Sequence, residues 1–285
     1  MLKKMPGALC TLIAACLFAL GGLLIKLIPW NGLAINSFRS IIAFVMLSAY
    51  LKAIGHRVVV NRTVMIGAFC MVATNSLYSV ANKLTTAGNA IILQFTAPIF
   101  VIIFSALIFG KKPRRADLIA CACVFCGVIF FFVDGISAGN MLGNFLALLS
   151  GAAYAGIFMM NTGKDADPLS SVLFGMLGSF VTGLPFLIMQ DKSATPSSAW
   201  TALICLAVFQ LGLAYVFFTE GLSKTPPLAT CLITGVEAVL NPTLVAVFYH
   251  ETLSRLSLAG AAVVFLSVMI YNISGVLKKD GEVAG

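Results

Sequence analysis

The fold class predicted for this 285-residue chain is an all-α membrane protein of ten transmembrane helices in two inverted-topology five-helix repeats. Three observations predict it. The composition is too apolar for a water-soluble domain, the apolar runs have the length of a bilayer, and one stretch of the first half returns in altered form 140 residues later.

Composition identifies the solvent. Hydrophobic residues make up 60% of the chain and charged residues only 10%, with a mean hydropathy of +1.03; a soluble domain carries roughly 25% charged residues. A span of the hydrocarbon core needs about 20 residues at 1.5 Å rise each, which leaves room for roughly ten spans and short loops. The net charge of +8 does not point to nucleic acid, because the basic residues sit in small clusters between apolar runs.

Cuts at polar or turn-forming breaks give ten segments, at about 6–28, 33–54, 63–82, 87–110, 114–133, 141–162, 168–189, 198–220, 225–249 and 253–277. The first has the basic start and apolar centre of a signal peptide but is long enough to span, and reads as a retained helix. Breaks such as Pro29-Trp30-Asn31-Gly32, Asp134-Gly135 and Thr225-Pro226-Pro227 supply the turn chemistry. No run alternates as a barrel strand would, so helices are the spanning elements.

With a cytoplasmic N-terminus, thirteen Lys and Arg fall on the inner side: Lys3, Lys4, Lys52, Arg57, Arg62, Lys111, Lys112, Arg114, Arg115, Lys164, Lys224, Lys278 and Lys279. Four fall outside, namely Lys26, Lys83, Lys192 and Arg255, while Arg39 lies within the second segment. This bias orients the chain with both termini cytoplasmic, as expected of a multi-pass protein of a bacterial inner membrane.

An offset of 140 residues places Arg115, Leu118, Ala122, Val124, Phe125 and Val128 on identical residues of the second half. It also turns the basic loop Lys111, Lys112, Arg114 and Arg115 into Glu251, Thr252, Ser254 and Arg255. An odd number of helices per repeat sends the second copy into the membrane from the other side, where positive charge is unwanted. The repeats are taken as residues 1–136 and 137–285 of one integral membrane domain.

Candidate site residues are polar groups that a bilayer makes costly. Glu237 is the acidic residue nearest the middle of a span, where ionised groups cost about 2.5–3.5 kcal/mol on insertion scales. Thr230, Thr234, Glu237 and Asn241 form one stripe of the ninth segment, and Asn75, Ser79 and Asn82 a stripe of the third. Each stripe is compatible with substrate contact and also with hydrogen bonds between helices. Arg39 could snorkel to headgroups or clamp a carboxylate. Gln94 corresponds to Thr234 under the offset, and each lies near a hinge candidate, Pro98 or Pro242, expected to free a carbonyl at Gln94 or Ala238. Tyr154 and Tyr215 are further substrate-contact candidates, with apolar packing as the alternative. Ala147, Gly151 and Ala155, with Gly175, Gly178 and Gly183, favour close helix packing.

The eight cysteines lie inside apolar runs and read as packing residues, and Cys121, Cys123 and Cys126 lack the companions of a metal site. No cofactor, metal or catalytic residue is expected, because no His lies inside a span to act as a base. No nucleotide-binding P-loop occurs. The partners expected are a small-molecule substrate and membrane lipid, with protons through Glu237 as a coupling route; nothing in the sequence specifies an oligomeric state.

Local features resemble the drug/metabolite transporter superfamily, and within it the EamA-type ten-helix exporters: Arg39 in AINSFRSIIAF, the run QFTAPIFVIIFSALIFGKKPRR, and Glu251 after the ninth segment. The family usually has proline beside the glutamate of the ninth helix, whereas here Ala238 follows Glu237 and Pro242 comes later. The resemblance implies a secondary or facilitative exporter of small metabolites, amino acids or related compounds, working by alternating access. A non-gated channel and a flippase for lipid-linked substrates are the alternatives, the second of which requires a lateral groove.

Overall fold

The computed structural model describes residues 5–110, 112, 115–160, 165–222, 224–225, 233–251 and 253–283. Among the described residues ten helices follow one another, three of them interrupted, and no strand occurs. They are α1 (Gly7–Phe18 and Leu20–Leu27), α2 (Gly32–Ile54), α3 (Arg62–Leu84), α4 (Ala87–Gln94 and Ala97–Phe109) and α5 (Arg115–Ala138) in the first half. The second half holds α6 (Met141–Met160), α7 (Pro168–Met189), α8 (Ser197–Cys205, Leu206–Leu213 and Ala214–Leu222), α9 (Val236–Tyr249) and α10 (Arg255–Val283). Eight of the described helices are long and apolar enough to cross a bilayer; Val236–Tyr249 and Arg255–Tyr271 are shorter apolar helices. Thr230, Cys231, Lys111, Arg114, Lys164 and Thr252 lie outside the described residues.

Short polar side chains start the helices where the loops leave backbone donors open. Asn31 accepts from the Leu33 amide, Asn61 from Val64, Thr86 from Asn89 and Asp167 from Ser170. The expected break at Asp134-Gly135 is not a break. Helix α5 continues to Ala138, and Gly139, at φ 72°, takes the left-handed position before α6. Asp134 is free to stay helical because its carboxylate accepts from Ser254 and Ser257 at the start of α10, each at 2.7 Å.

The packing repeats the sequence duplication. Helix α3 lies on α6, and its counterpart α8 lies on α1; α3 meets α7, and α8 meets α2. Counterpart pairs α2 with α7, α4 with α9 and α5 with α10 pack on each other. Exchanging the halves maps this pattern onto itself, as a two-fold axis in the membrane plane requires.

Two breaks matter for the centre of the bundle. Helix α4 stops at Gln94 and restarts at Ala97, with Pro98 in the first turn of the new segment, where a missing N–H is harmless. In α9 the break lies at Gly235, 140 residues after Phe95, whereas Pro242 sits inside an unbroken helix. The expected opening at Pro242 is therefore corrected: the symmetric break is made by glycine. The same offset joins Gly110 and His250, both left-handed at φ 62° and 57° after their helices. Helix α6 closes on the α4 break through Gly151, where an added Cβ would stand 2.9 Å from the Gln94 carbonyl oxygen and 3.0 Å from that of Leu93.

Candidate functional site

Between the halves lies a cavity of about 50 Å³ lined by side chains of seven helices. Arg39 of α2, Asn75 and Tyr78 of α3, Gln94 of α4, Tyr154 of α6, Gln210 and Tyr215 of α8 and Glu237 of α9 supply its polar groups. Phe18 adds an aromatic edge, with its ring 5.0 Å from that of Tyr215. Since a water needs roughly 10–15 Å³, the space has room for a few waters.

Arg39 is only 1% exposed, which rules out snorkelling to headgroups. Its Nε and Nη2 donate to Asn36 Oδ1 at 3.2 and 3.1 Å, Nη2 also to Ser79 Oγ at 3.0 Å, and Nη1 to Gln210 Oε1 at 3.1 Å. Every one of these partners is neutral, so the guanidinium is oriented without being neutralised. Four bonds also leave one of its five N–H groups unspent. Asn75, 8% exposed, lines the same cavity, and its Nδ2 has no hydrogen-bond partner. A buried donor without an acceptor costs free energy, which an acceptor brought by a ligand would recover.

Glu237 occupies the first turn of the α9 segment that follows the Gly235 break, and forms no ion pair with Arg39. Its stripe mate Asn241 is fully buried and donates to Tyr78 Oη at 3.2 Å, while Asn82 reaches the same oxygen at 3.5 Å. The two polar stripes read from the sequence thus meet at Tyr78. Ser79 is taken up by Arg39, and Thr234, although buried, does not line the cavity; nor do Pro98 and Pro242. Of the eight substrate-contact candidates, Gln94, Glu237, Asn75, Tyr154, Tyr215 and Arg39 are brought together.

Gln210 and Tyr78 are not among the candidates named from the sequence, although both carry a signal there. Gln210 is the one side-chain amide of the apolar run 198–220, and Tyr78 lies three residues after Asn75 on the same helical face. Around Gln210 the helix widens into a π turn from Leu206 to Leu213, a distortion that often accompanies functional positions.

Polar contacts between the halves lie at both ends of the bundle. On the face opposite the termini, Lys26 Nζ pairs with Glu251 Oε2 at 2.8 Å and donates to the Thr85 carbonyl at 2.8 Å. Glu251 Oε1 accepts from the Ala87 amide at 2.7 Å, at the N-terminus of α4 where an anion is favoured. Lys83 donates to the Ile28 carbonyl. On the other face Tyr50 Oη donates to Glu220 Oε1 at 2.5 Å, and Lys224 pairs with Glu220 at 3.0 Å. The Lys26–Glu251, Glu251–Ala87 and Tyr50–Glu220 contacts tie the first half to the second, whereas Lys83–Ile28 and Lys224–Glu220 lie within one half.

Comparison with known proteins agrees with this architecture. The EamA-like transporter family matches residues 5–133 and again 141–273. Among curated proteins the chain is 22% identical over 227 residues to "Uncharacterized transporter YyaM" of Bacillus subtilis (strain 168), covering 75% of this chain and 73% of that protein. It is 22% identical over 307 residues to "Solute carrier family 35 member G1" of Homo sapiens, covering 97% and 81%. A solved structure described as "Crystal structure of protein" superposes with a TM-score of 0.67 at 15% identity, over 94% of this chain and 97% of that one, which is a likeness of fold. The chain is a multi-pass membrane transporter, and with one family match in each half it belongs to the EamA-like transporter family.

Proposed function

We propose that this transporter exports a small zwitterionic metabolite, an amino acid or close relative, across the bacterial inner membrane by alternating access. The observation that carries the reading is Arg39, a buried cation whose four hydrogen bonds all go to neutral groups. Beside it the unpartnered Asn75 Nδ2 offers a second donor, and a carboxylate accepts two such donors at once. Glu237 faces the same cavity and complements an ammonium group. Phe18, Tyr154 and Tyr215 offer ring surface to the apolar part of the substrate.

Contacts between the halves at both ends, around a cavity of about 50 Å³, support a cycle in which the two faces open in turn. A channel would need a continuous path. The test is counterflow in proteoliposomes, using a labelled panel of amino acids, their decarboxylated amines and their deaminated acids. Saturable exchange restricted to compounds with both groups is expected; uptake that rises linearly with concentration, or exchange of the amines and acids alone, defeats the proposal.

The clamp beside α4 makes a separate prediction. Glu251→Gln removes the charge that pairs with Lys26 and weakens the contact with the Ala87 amide, so the face opposite the termini should open. A thiol placed at Thr74 in a cysteine-free background is then expected to react at least tenfold faster with an impermeant maleimide from that face. An unchanged rate would mean that the pair does not hold this face shut.

A further inference from the structure

We propose that the groove between α9 and α10 is a phospholipid site, which takes one acyl chain in the groove and the lipid phosphate on Arg255. Consecutive helices usually pack together, yet here a groove of about 510 Å³ separates them, with Ile92 of α4 among its lining residues. Its walls are apolar. The hydroxyl of Thr243 is spent on the Val239 carbonyl at 2.7 Å and offers nothing to a polar ligand. Val239, Val247 and Leu258 are 52%, 60% and 59% exposed, so the groove is continuous with the surface that a bilayer must cover.

Walls of this kind neither hold water nor keep their dispersion contacts if left empty. The occupant is therefore apolar and comes from the bilayer. The head is specified by charge. Arg255 stands at the first position of α10, between the groove residues Leu253 and Leu258, and is exposed at the headgroup end of the helix. Among the described residues its side chain makes no hydrogen bond or ion pair, unlike those of Lys26 and Lys83 on the same face. A guanidinium binds phosphate through paired N–H groups. The inner groove residues Ile92 and Ala238 lie within three residues of the symmetric α4 and α9 breaks, so an acyl chain seated there touches the segments that carry Gln94 and Glu237.

The test uses the full chain in proteoliposomes that contain a trace of phosphatidylglycerol with a diazirine in one acyl chain. After illumination, adducts are mapped by mass spectrometry. At least fivefold more adduct is expected on peptides of α9 and α10 than on the exposed face of α7 at Val181 and Ile188. Filling the groove with Ala246→Trp should abolish the excess, and Arg255→Gln, at an exposed position, should reduce it at least threefold without touching the walls. A diacylglycerol with the same diazirine chain should show the excess weakly and independently of Arg255. Even labelling over all lipid-facing helices overturns the site, as does an excess that survives Ala246→Trp in a protein of unchanged thermal stability. Equal labelling by both probes, or no effect of Arg255→Gln, overturns the phosphate assignment. Labelling needs no transport, so its outcome is independent of the substrate proposal.

Discussion

Arg39→Lys is expected to abolish most transport while leaving the protein folded. The guanidinium reaches Asn36, Ser79 and Gln210 at once because its donors form a planar fork. A lysine ammonium keeps the charge but is a compact point, so it serves at most part of that set and withdraws from the wall beside Asn75. A hydrogen bond to a charged group contributes about 1.5–3 kcal/mol, and loss of one from substrate recognition corresponds to a ten- to hundredfold weaker interaction. The expected readout is a rise of that size in the half-saturating concentration for counterflow, with a gel-filtration profile like that of the parent. Arg39→Ala should do more, because Asn36 and Gln210 then lose their partner inside the bundle; each unsatisfied buried group costs about 1–3 kcal/mol. Thermal stability should therefore fall clearly for Ala and little for Lys. Transport by Arg39→Lys within twofold of the parent would show that the guanidinium only braces α2 against α3 and α8.

The fold was legible because the bilayer imposes few solutions. Apolar length and basic loops located the spans, and the reversal from Lys111 to Glu251 located the inversion. That same reversal carried more than the sequence disclosed. Read along the chain, Glu251 is only a lost positive charge; in space it follows the left-handed His250, which turns it back onto Lys26 and the Ala87 amide. Contacts between residues over 160 positions apart leave no local pattern, so the clamp was invisible. The break of α9 was misplaced for a different reason. Proline is the strongest punctuation in a sequence, and Pro242 drew attention from Gly235; the glycine is marked only once the α4 break is known to fall at Phe95, 140 residues earlier. At the cavity, charge was legible and neutral partners were not. Arg39 and Glu237 stand out in apolar segments, whereas Gln210 and Tyr78 take their meaning from what they face.

Glu237→Gln should separate two roles of the remaining charge. The replacement is nearly isosteric and removes an ionisable group whose charged form costs about 2.5–3.5 kcal/mol in a span, so the variant should fold at least as well as the parent. Under the offset the counterpart of Glu237 is Ala97 and that of Arg39 is Ser179, so each half brings one charge and the other half none. A zwitterion lying between them is held at both ends, and loss of either end should discriminate by chemistry. For Glu237→Gln the half-saturating concentration of the amino acid should rise about tenfold in counterflow, while a deaminated acid that the parent rejects should become a competitor. Proton coupling has its own readout. If Glu237 also carries the proton, an imposed pH gradient will drive accumulation in the parent but not in the variant, although exchange at equal pH persists. Undiminished exchange of the amino acid would remove Glu237 from the substrate site, and undiminished gradient-driven accumulation would remove it from the proton path. The two measurements fail independently, because exchange needs no net proton movement and accumulation does.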